Sequence, residues 1–153
     1  MKNADLSPLM NRSPLKPDGQ PVALLLVEDD LDQQALMVLI LQNLGYEVHA
    51  VDNGLQALEL LETWTPDLVV TDIMMPEMDG VSFVREMRSS ETLKDIPILV
   101  LTAIENSETE CELLDLGVDE YLEKTTPRKL LKRRVDKAIR SRQRELTKKD
   151  SEI

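Results

Sequence analysis

The chain has 153 residues, of which 42% are apolar, a proportion typical of one soluble globular domain. No apolar run approaches the roughly 18 to 20 residues that a membrane span requires, and the N-terminus lacks an apolar stretch of signal-peptide length. A single cysteine, Cys111, agrees with a reducing cytoplasm. The formal net charge is −11, yet residues 128–153 hold eleven Lys and Arg against four Asp and Glu. We therefore expect a cytoplasmic, membrane-free domain with an acidic body and a basic end.

Composition divides the chain into three segments. Residues 1–21 mix Pro, Ser, Asn and charge, which predicts a disordered leader. Residues 22–144 are predicted to form one folded domain, and residues 145–153 a charged C-terminal tail.

Five short runs are candidates for strands. Three are continuously apolar, as strands buried on both faces are, and two are weaker, as strands near a sheet edge are. The strong runs are 22–27, 67–71 and 97–101, and the weaker ones are 47–51 and 120–122.

Segments with helical spacing lie between and after these runs. In the first, Leu31, Ala35, Val38, Leu39 and Gln42 fall close to one face, and a glycine follows as a helix stop. The other four contain Leu55, Ala57, Leu58 and Leu61; Val81, Phe83, Val84 and Met87; Leu113, Leu114 and Leu116; and Leu130, Leu131, Val135, Ala138 and Ile139.

The alternation of strands and helices predicts the fold class. Each connection is long enough for a parallel crossover, so we expect an α/β fold with one parallel sheet covered by helices on both faces. In such sheets a ligand site forms at the carboxyl ends of the strands, where the winding reverses.

Polar residues stand at the carboxyl ends of four predicted strands. Several carboxylates that meet at one edge repel each other by roughly 4 kcal/mol per pair at ~4 Å and an effective dielectric near 20, and a divalent cation would relieve this repulsion. Oxygen ligands without a nearby histidine or thiolate favour Mg²⁺. The residues are Glu28, Asp29 and Asp30 after the first strand, Asp72 after the third, Thr102 after the fourth and Lys124 after the fifth.

A carboxylate beside such a metal can attack phosphorus. Asp72 would then form an aspartyl phosphate, while the Lys124 ammonium and the Thr102 hydroxyl take up charge on the phosphoryl oxygens. Asp30 is expected to cap the following helix, and the sole histidine, His49, to be an exposed strand residue.

Four segments, LLLVEDD, VVTDIMMPEMDG, LVLTA and YLEK, resemble the signature segments of bacterial response-regulator receiver domains of two-component signalling. The resemblance covers about residues 23–144. It implies a flavodoxin-like, doubly wound sheet of five parallel strands in the order 2-1-3-4-5, with five helices.

The resemblance also implies roles for single residues at the site. Asp72 corresponds to the phosphoacceptor, and Glu28, Asp29 and Asp72 to the acidic ligands of Mg²⁺. Met74 corresponds to the residue whose backbone carbonyl completes the protein ligands, and Lys124 to the cation that pairs with the phosphoryl group.

Three further positions correspond to the switch. Thr102 matches the hydroxyl that moves toward the phosphoryl group, Ala103 its small neighbour and Tyr121 the aromatic that turns inward. Phosphorylation would then change the affinity of the face formed by the fourth helix, the fifth strand and the fifth helix for a partner.

The implied donor is a histidine kinase or a phosphotransfer protein, and the implied output is a downstream protein or a homodimer through the same face. The chain would be no enzyme beyond its own phosphorylation and dephosphorylation. Few residues follow the fifth helix, which favours a single-domain regulator. A receiver fragment of a multidomain regulator and a pseudo-receiver that takes no phosphate remain alternatives.

The residue after Lys124 departs from the family pattern, and the basic C-terminal end raises the question of nucleic-acid binding. The family usually has proline after the lysine, across a cis bond, whereas Thr125 follows Lys124 here, and we expect a trans peptide with a reshaped loop. The basic end could suggest a nucleic-acid patch, but no recognition motif accompanies it and the rest of the chain is acidic. Direct nucleic-acid binding is therefore not expected.

Overall fold

The computed structural model describes residue 16 and residues 19–74, 78–103 and 106–151, with side chains as far as residue 146. Strands and helices alternate throughout these residues. In chain order they are β1 Ala23–Val27, α1 Leu31–Asn43, β2 Glu47–Val51, α2 Gly54–Leu61, β3 Leu68–Thr71, α3 Gly80–Ser89, β4 Ile98–Thr102, α4 Ser107–Asp115, β5 Glu120–Glu123 and α5 Arg128–Ser151.

The five strands form one parallel sheet in the order β2-β1-β3-β4-β5. This confirms the predicted α/β class and the doubly wound strand order. The two weak strand candidates, β2 and β5, are the two edges of the sheet, where only one neighbouring strand is available. The chain reverses its winding between β1 and β3, so these two strands meet at the centre.

Each face of the sheet carries its own core, and β1 contributes to both. Leu24 and Leu26 pack on the face covered by α1 and α5, whereas Leu25 and Val27 pack on the face covered by α2, α3 and α4. Successive side chains of a strand point to opposite faces, so a central strand must be apolar at every position. This is why β1 has a continuous apolar sequence.

The buried face of α1 differs from the face that the apolar spacing selected. Met37 and Leu41 face the core, whereas Leu31 and Leu39 are 65% and 56% exposed. Apolar residues occur on almost all sides of this helix, so their spacing alone does not identify the packed side. Contact with the sheet decides it.

Four helices begin at capping side chains in the loops that follow the strands. The side chain of Asp30 accepts a hydrogen bond from the backbone N–H of Gln33, which confirms its predicted role as a cap. Asn53, Asp79 and Asn106 cap α2, α3 and α4 in the same way.

Helix α5 is 24 residues long and continues through residues that the sequence assigned to a tail. Its second half is attached to the loop before β5, because Arg142 Nε donates to Asp119 Oδ1 at 2.8 Å. Arg88 from α3 donates to Asp119 Oδ2 at 3.2 Å, and both arginines also donate to the carbonyl of Gly117. We call Arg88, Asp119 and Arg142 the arginine clamp.

The predicted leader, residues 1–21, lies almost entirely outside the described residues. Within the described ranges, no helix combines the length and the apolar character needed to cross a membrane.

Candidate functional site

The carboxyl edge of the sheet brings together the polar residues that follow β1, β3 and β5. Glu28 is buried directly after β1, Asp72 lies half-buried after the adjacent strand β3, and Asp29 is exposed. Lys124 follows β5 at the sheet edge, and its side chain reaches inward to the two central strands. Predicted site residues that are far apart in sequence therefore meet in one small cavity, which Met74, Thr102 and Ala103 also line.

The ammonium group of Lys124 is the centre of the site's hydrogen bonds. Its Nζ donates to Glu28 Oε1 at 2.6 Å and to Asp72 Oδ2 at 2.8 Å. A third contact joins it to Oε1 of Gln33, on the first turn of α1. Only 18% of the Lys124 side chain is exposed, so these acceptors replace most of the water molecules that would hydrate a free ammonium group.

The electrostatics differ between the two carboxylates that contact Lys124. Burial, together with the nearby charge of Asp72, raises the pKa of Glu28 to about 7, despite the opposing effect of Lys124. Burial would also raise the pKa of Asp72, but the hydrogen bond and charge of Lys124 and the backbone N–H of Ile73 outweigh it and lower the pKa. Asp72 is therefore the carboxylate that stays ionised near neutral pH.

The acidic residues fit a divalent cation. Carboxylate oxygens of Glu28, Asp29 and Asp72 all lie within 4.8 Å of one another. Among the side chains that the structure describes, Oε2 of Glu28 is buried without a hydrogen-bond partner. A buried carboxylate oxygen without a donor is costly unless a cation or water reaches it, and an all-oxygen set suits Mg²⁺ or a similar hard ion.

The loop after β3 holds Asp72 by close backbone packing. Its Oδ1 accepts from the N–H of Ile73 at 2.6 Å, and its own N–H donates to the carbonyl of Val27 at 3.2 Å. A Cβ at Gly80 would lie 2.6 Å from the Asp72 carbonyl oxygen and 2.6 Å from Ile73 Cα. Glycine is therefore needed where α3 begins, because any side chain would push the helix away from the Asp72 loop.

The predicted switch residues have different environments. Thr102 is buried, and its carbonyl accepts from the N–H of Lys124 at 2.9 Å, whereas Ala103 is exposed. Tyr121 is half-buried against the core formed with α2, α3 and α4, and it borders a polar cleft at the start of α4. Thr102 thus links the site to β5.

The loop after Lys124 has the predicted backbone geometry. The Lys124–Thr125 peptide is trans, since none of the described residues has a cis bond. Thr126 closes the turn, because its hydroxyl donates to the carbonyl of Glu123 at 2.6 Å.

Sequence reasoning missed Gln33 and the apolar cavity beside it. The cavity has a volume of about 310 Å³ and lies between α1 and the sheet, with Lys124 and Gln33 at its polar end. No sequence signal identifies Gln33, because its partner stands 91 residues away and a glutamine in a first helical turn is ordinary.

Comparison with known proteins gives a consistent result. A family model described as the response regulator receiver domain matches residues 24–136. The response regulator MprA of Mycobacterium sp. (strain KMS) is 41% identical over 104 residues, which is 68% of this chain and 44% of MprA. The chain thus spans less than half the length of this curated relative.

Two solved structures are similar in fold and hold a metal ion. The receiver domain of the sensor histidine kinase PA1611 from Pseudomonas aeruginosa PAO1, with magnesium coordinated in its active-site cleft, is 34% identical with a TM-score of 0.71. The match covers 77% of this chain and 97% of that one. The manganese-bound response regulator Rcp1 is 29% identical with a TM-score of 0.64, and the match covers 76% of this chain and 90% of that one.

Proposed function

Since the chain belongs to the response regulator receiver domain family of two-component systems, we propose that it accepts a phosphoryl group on Asp72 and signals by changing its affinity for a partner. The observation that carries the proposal is the placement of Asp72 between a lysine ammonium, 2.8 Å from its Oδ2, and two further carboxylates. A nucleophile, a counter-cation for the phosphoryl oxygens and a set of metal ligands thus share one edge of the sheet.

In the proposed reaction an ionised Oδ atom of Asp72 forms the new bond to phosphorus. The bond from phosphorus to the donor breaks, and its electron pair leaves with the donor, which is a phosphohistidine of a kinase or phosphotransfer protein, or a small acyl phosphate. The lowered pKa of Asp72 agrees with an ionised carboxylate, the form that attack on phosphorus requires. Lys124 would leave Asp72 and pair with a phosphoryl oxygen, which needs only a short movement of a flexible side chain.

Glu28, Asp29 and Asp72, with the backbone carbonyl of Met74, would hold Mg²⁺. The bound ion would neutralise charge on the carboxylates and on the transferred group. The buried, unpartnered Oε2 of Glu28 supports this assignment.

The proposed switch starts at Thr102 and Ala103. The Thr102 hydroxyl would move toward the phosphoryl group, for which the small side chain of Ala103 leaves room, and Tyr121 would then turn inward. The affected face contains the acidic helix α4, strand β5 and the basic helix α5, where Arg134 and Lys137 already contact Glu120 of β5. Either a downstream protein or a second copy, with α4 of one copy against α5 of the other, could bind there.

The protein is a signalling domain and not a classical enzyme. We propose that the receiver covers residues 22–144, that it works in the cytoplasm, and that it acts through proteins and not by binding nucleic acid. Its curated relatives are longer, so a receiver within a larger regulator and a single-domain regulator are both compatible with the proposal.

Intact-mass spectrometry tests the proposal. The protein is incubated with acetyl phosphate, with or without Mg²⁺, beside Asp72→Asn and the matched control Asp115→Asn on the exposed face of α4. We expect one Mg²⁺-dependent phosphoryl adduct in the wild type and the control, and none in Asp72→Asn. A folded wild type that forms no adduct, and that binds no beryllofluoride, would instead be a phosphate-independent interaction module.

A further inference from the structure

We propose that Gln33 is a positioning residue for the phosphoryl-transfer site, and that its side-chain oxygen holds the Lys124 ammonium at the place from which it reaches the phosphoryl group. The proposal deepens the proposed function and rests on it for its consequence in the reaction. It rests on the structure alone for the contact between the two side chains.

The Lys124 ammonium has an acceptor for each of its three donors. An ammonium group has three N–H donors and no acceptor. The three acceptors come from three different elements: Glu28 Oε1 after β1, Asp72 Oδ2 after β3 and Gln33 Oε1 on α1. Gln33 therefore completes the set, and without it one donor of a largely buried cation would lose its partner in the site.

The first turn of α1 holds Gln33 in place. Its backbone N–H donates to the capping side chain of Asp30 at 3.0 Å. The next residue, Gln34, fastens the same turn to the sheet, because its Nε2 lies 2.9 Å from the Glu28 carbonyl, 3.1 Å from the Val51 carbonyl and 3.0 Å from Asp52 Oδ1. The acceptor thus stands on a rigid turn even though its own side chain is exposed.

The chemistry of the three acceptors differs, and this gives Gln33 its role. Asp72 must release Lys124 when it accepts a phosphoryl group, and a cation bound at Oε2 of Glu28 would repel the ammonium that contacts Oε1 of the same carboxylate. Gln33 is neutral, so it neither competes for that cation nor repels the incoming phosphate. Of the three acceptors it is the one whose hydrogen bond to Lys124 neither the cation nor the phosphoryl group would weaken, and the ammonium can turn about it from Asp72 to the phosphoryl oxygens.

The alternative is that Gln33 is an exposed helix residue whose contact with Lys124 has no effect on the site. Three variants separate the two possibilities. Gln33→Met keeps the length of the side chain and removes the acceptor, Gln33→Glu keeps an acceptor oxygen, and Gln42→Met makes the same change at an exposed position in the last turn of α1.

The first readout is the ¹H–¹⁵N correlation signal of the Lys124 ammonium at low temperature, assigned with Lys124→Arg. We expect a distinct signal in the wild type, Gln33→Glu and Gln42→Met, and its loss or displacement in Gln33→Met. A signal that is the same in Gln33→Met and in the wild type would overturn the proposal. This measurement does not require phosphorylation.

The second readout is the maximal rate of phosphorylation by acetyl phosphate in Mg²⁺. We expect Gln33→Met to be slower by about 3- to 10-fold, the effect of one hydrogen bond, and Gln42→Met to equal the wild type. Equal rates in Gln33→Met and the wild type would refute the role in the reaction. If the wild type takes up no phosphoryl group while the ammonium signal still depends on Gln33, the proposed function fails and the positioning contact stands.

Discussion

Lys124 Nζ lies 2.8 Å from Asp72 Oδ2, although 52 residues separate them in the sequence. The same ammonium contacts Glu28, so in this structure a lysine supplies the positive charge between two carboxylates that are also candidate metal ligands. In the proposed function, lysine and metal would therefore compete for the carboxylates before phosphorylation, and both would then serve the phosphoryl group.

Replacement of Lys124 by methionine should therefore have opposite effects on metal binding and on phosphorylation. We expect Lys124→Met to bind Mg²⁺ roughly tenfold more tightly, because a competing charge is gone. Phosphorylation by acetyl phosphate should be slower by about 100-fold, because a charged group that stabilises the transition state is missing. Calorimetric titration and intact-mass kinetics check the two effects, with the exposed Lys129→Met as control. Weaker Mg²⁺ binding in Lys124→Met would contradict the competition.

Metal binding should also depend on pH through Glu28. Burial raises the pKa of this carboxyl to about 7, so below that pH Glu28 carries a proton that a metal must displace. We expect the affinity for Mg²⁺ to rise from pH 6 to pH 8, with release of about one proton per ion at pH 6 and almost none at pH 8. Calorimetry in buffers of different ionisation enthalpy measures the proton release. Glu28→Gln should release none, and equal affinity at both pH values would contradict the prediction.

The buried side of α1 can be tested by paired alanine substitutions. Leu41→Ala removes a fully buried side chain and should lower the free energy of unfolding by about 2 to 5 kcal/mol. Leu39→Ala makes the same change at an exposed position and should cost less than about 0.5 kcal/mol. Urea unfolding followed by circular dichroism measures both. A larger loss in Leu39→Ala would mean that the helix packs with its other face.

The arginine clamp should stabilise the end of the sheet opposite the phosphorylation site. Asp119 accepts from Arg88, Arg142 and the backbone N–H of Ile98, and its side chain is only 12% exposed. Its loss would remove the carboxylate that Arg88 and Arg142 share, and Arg142 would keep only its 3.5 Å contact with the exposed Glu145. Arg88 is already buried enough that its pKa is lowered to about 10. Asp119→Ala should cost about 3 kcal/mol or more, whereas the exposed Asp115→Ala should be nearly neutral.

Hydrogen exchange locates the effect of the clamp. Because Arg142 is the contact that the second half of α5 makes with Asp119, Asp119→Ala should speed exchange in that part of the helix more than in β1 or β3. Uniform acceleration across the domain would instead indicate a general loss of stability.

Much of the fold followed from local patterns in the sequence. Continuous apolar runs identified β1, β3 and β4 because central strands are buried on both sides, and the weaker runs identified the edge strands β2 and β5. Asp30 was predictable as a cap because a capping side chain bonds to a backbone group three residues away. These features depend on neighbours in the chain, which a sequence displays directly.

The sequence predicted which residues form the site and at which strand ends they lie. Glu28, Asp29, Asp72 and Lys124 were expected at one edge because parallel strands bring their carboxyl ends together, and the structure places them there. The sequence by itself thus determined the fold class, the strand order through a family resemblance, and the residues that gather at the edge of the sheet.

Only the tertiary structure decided the buried face of α1, the length and attachment of α5, and the partners of Lys124. A helix with apolar residues on almost all sides has no unique packing side until it meets the sheet. Arg142 contacts Asp119 only when α5 packs against the sheet. Gln33 contacts Lys124 because the long Lys124 side chain reaches inward from the edge strand β5 to the end of β1, where α1 begins. Such contacts depend on the distances between helices and strands in space, and the order of residues along a chain does not give these distances.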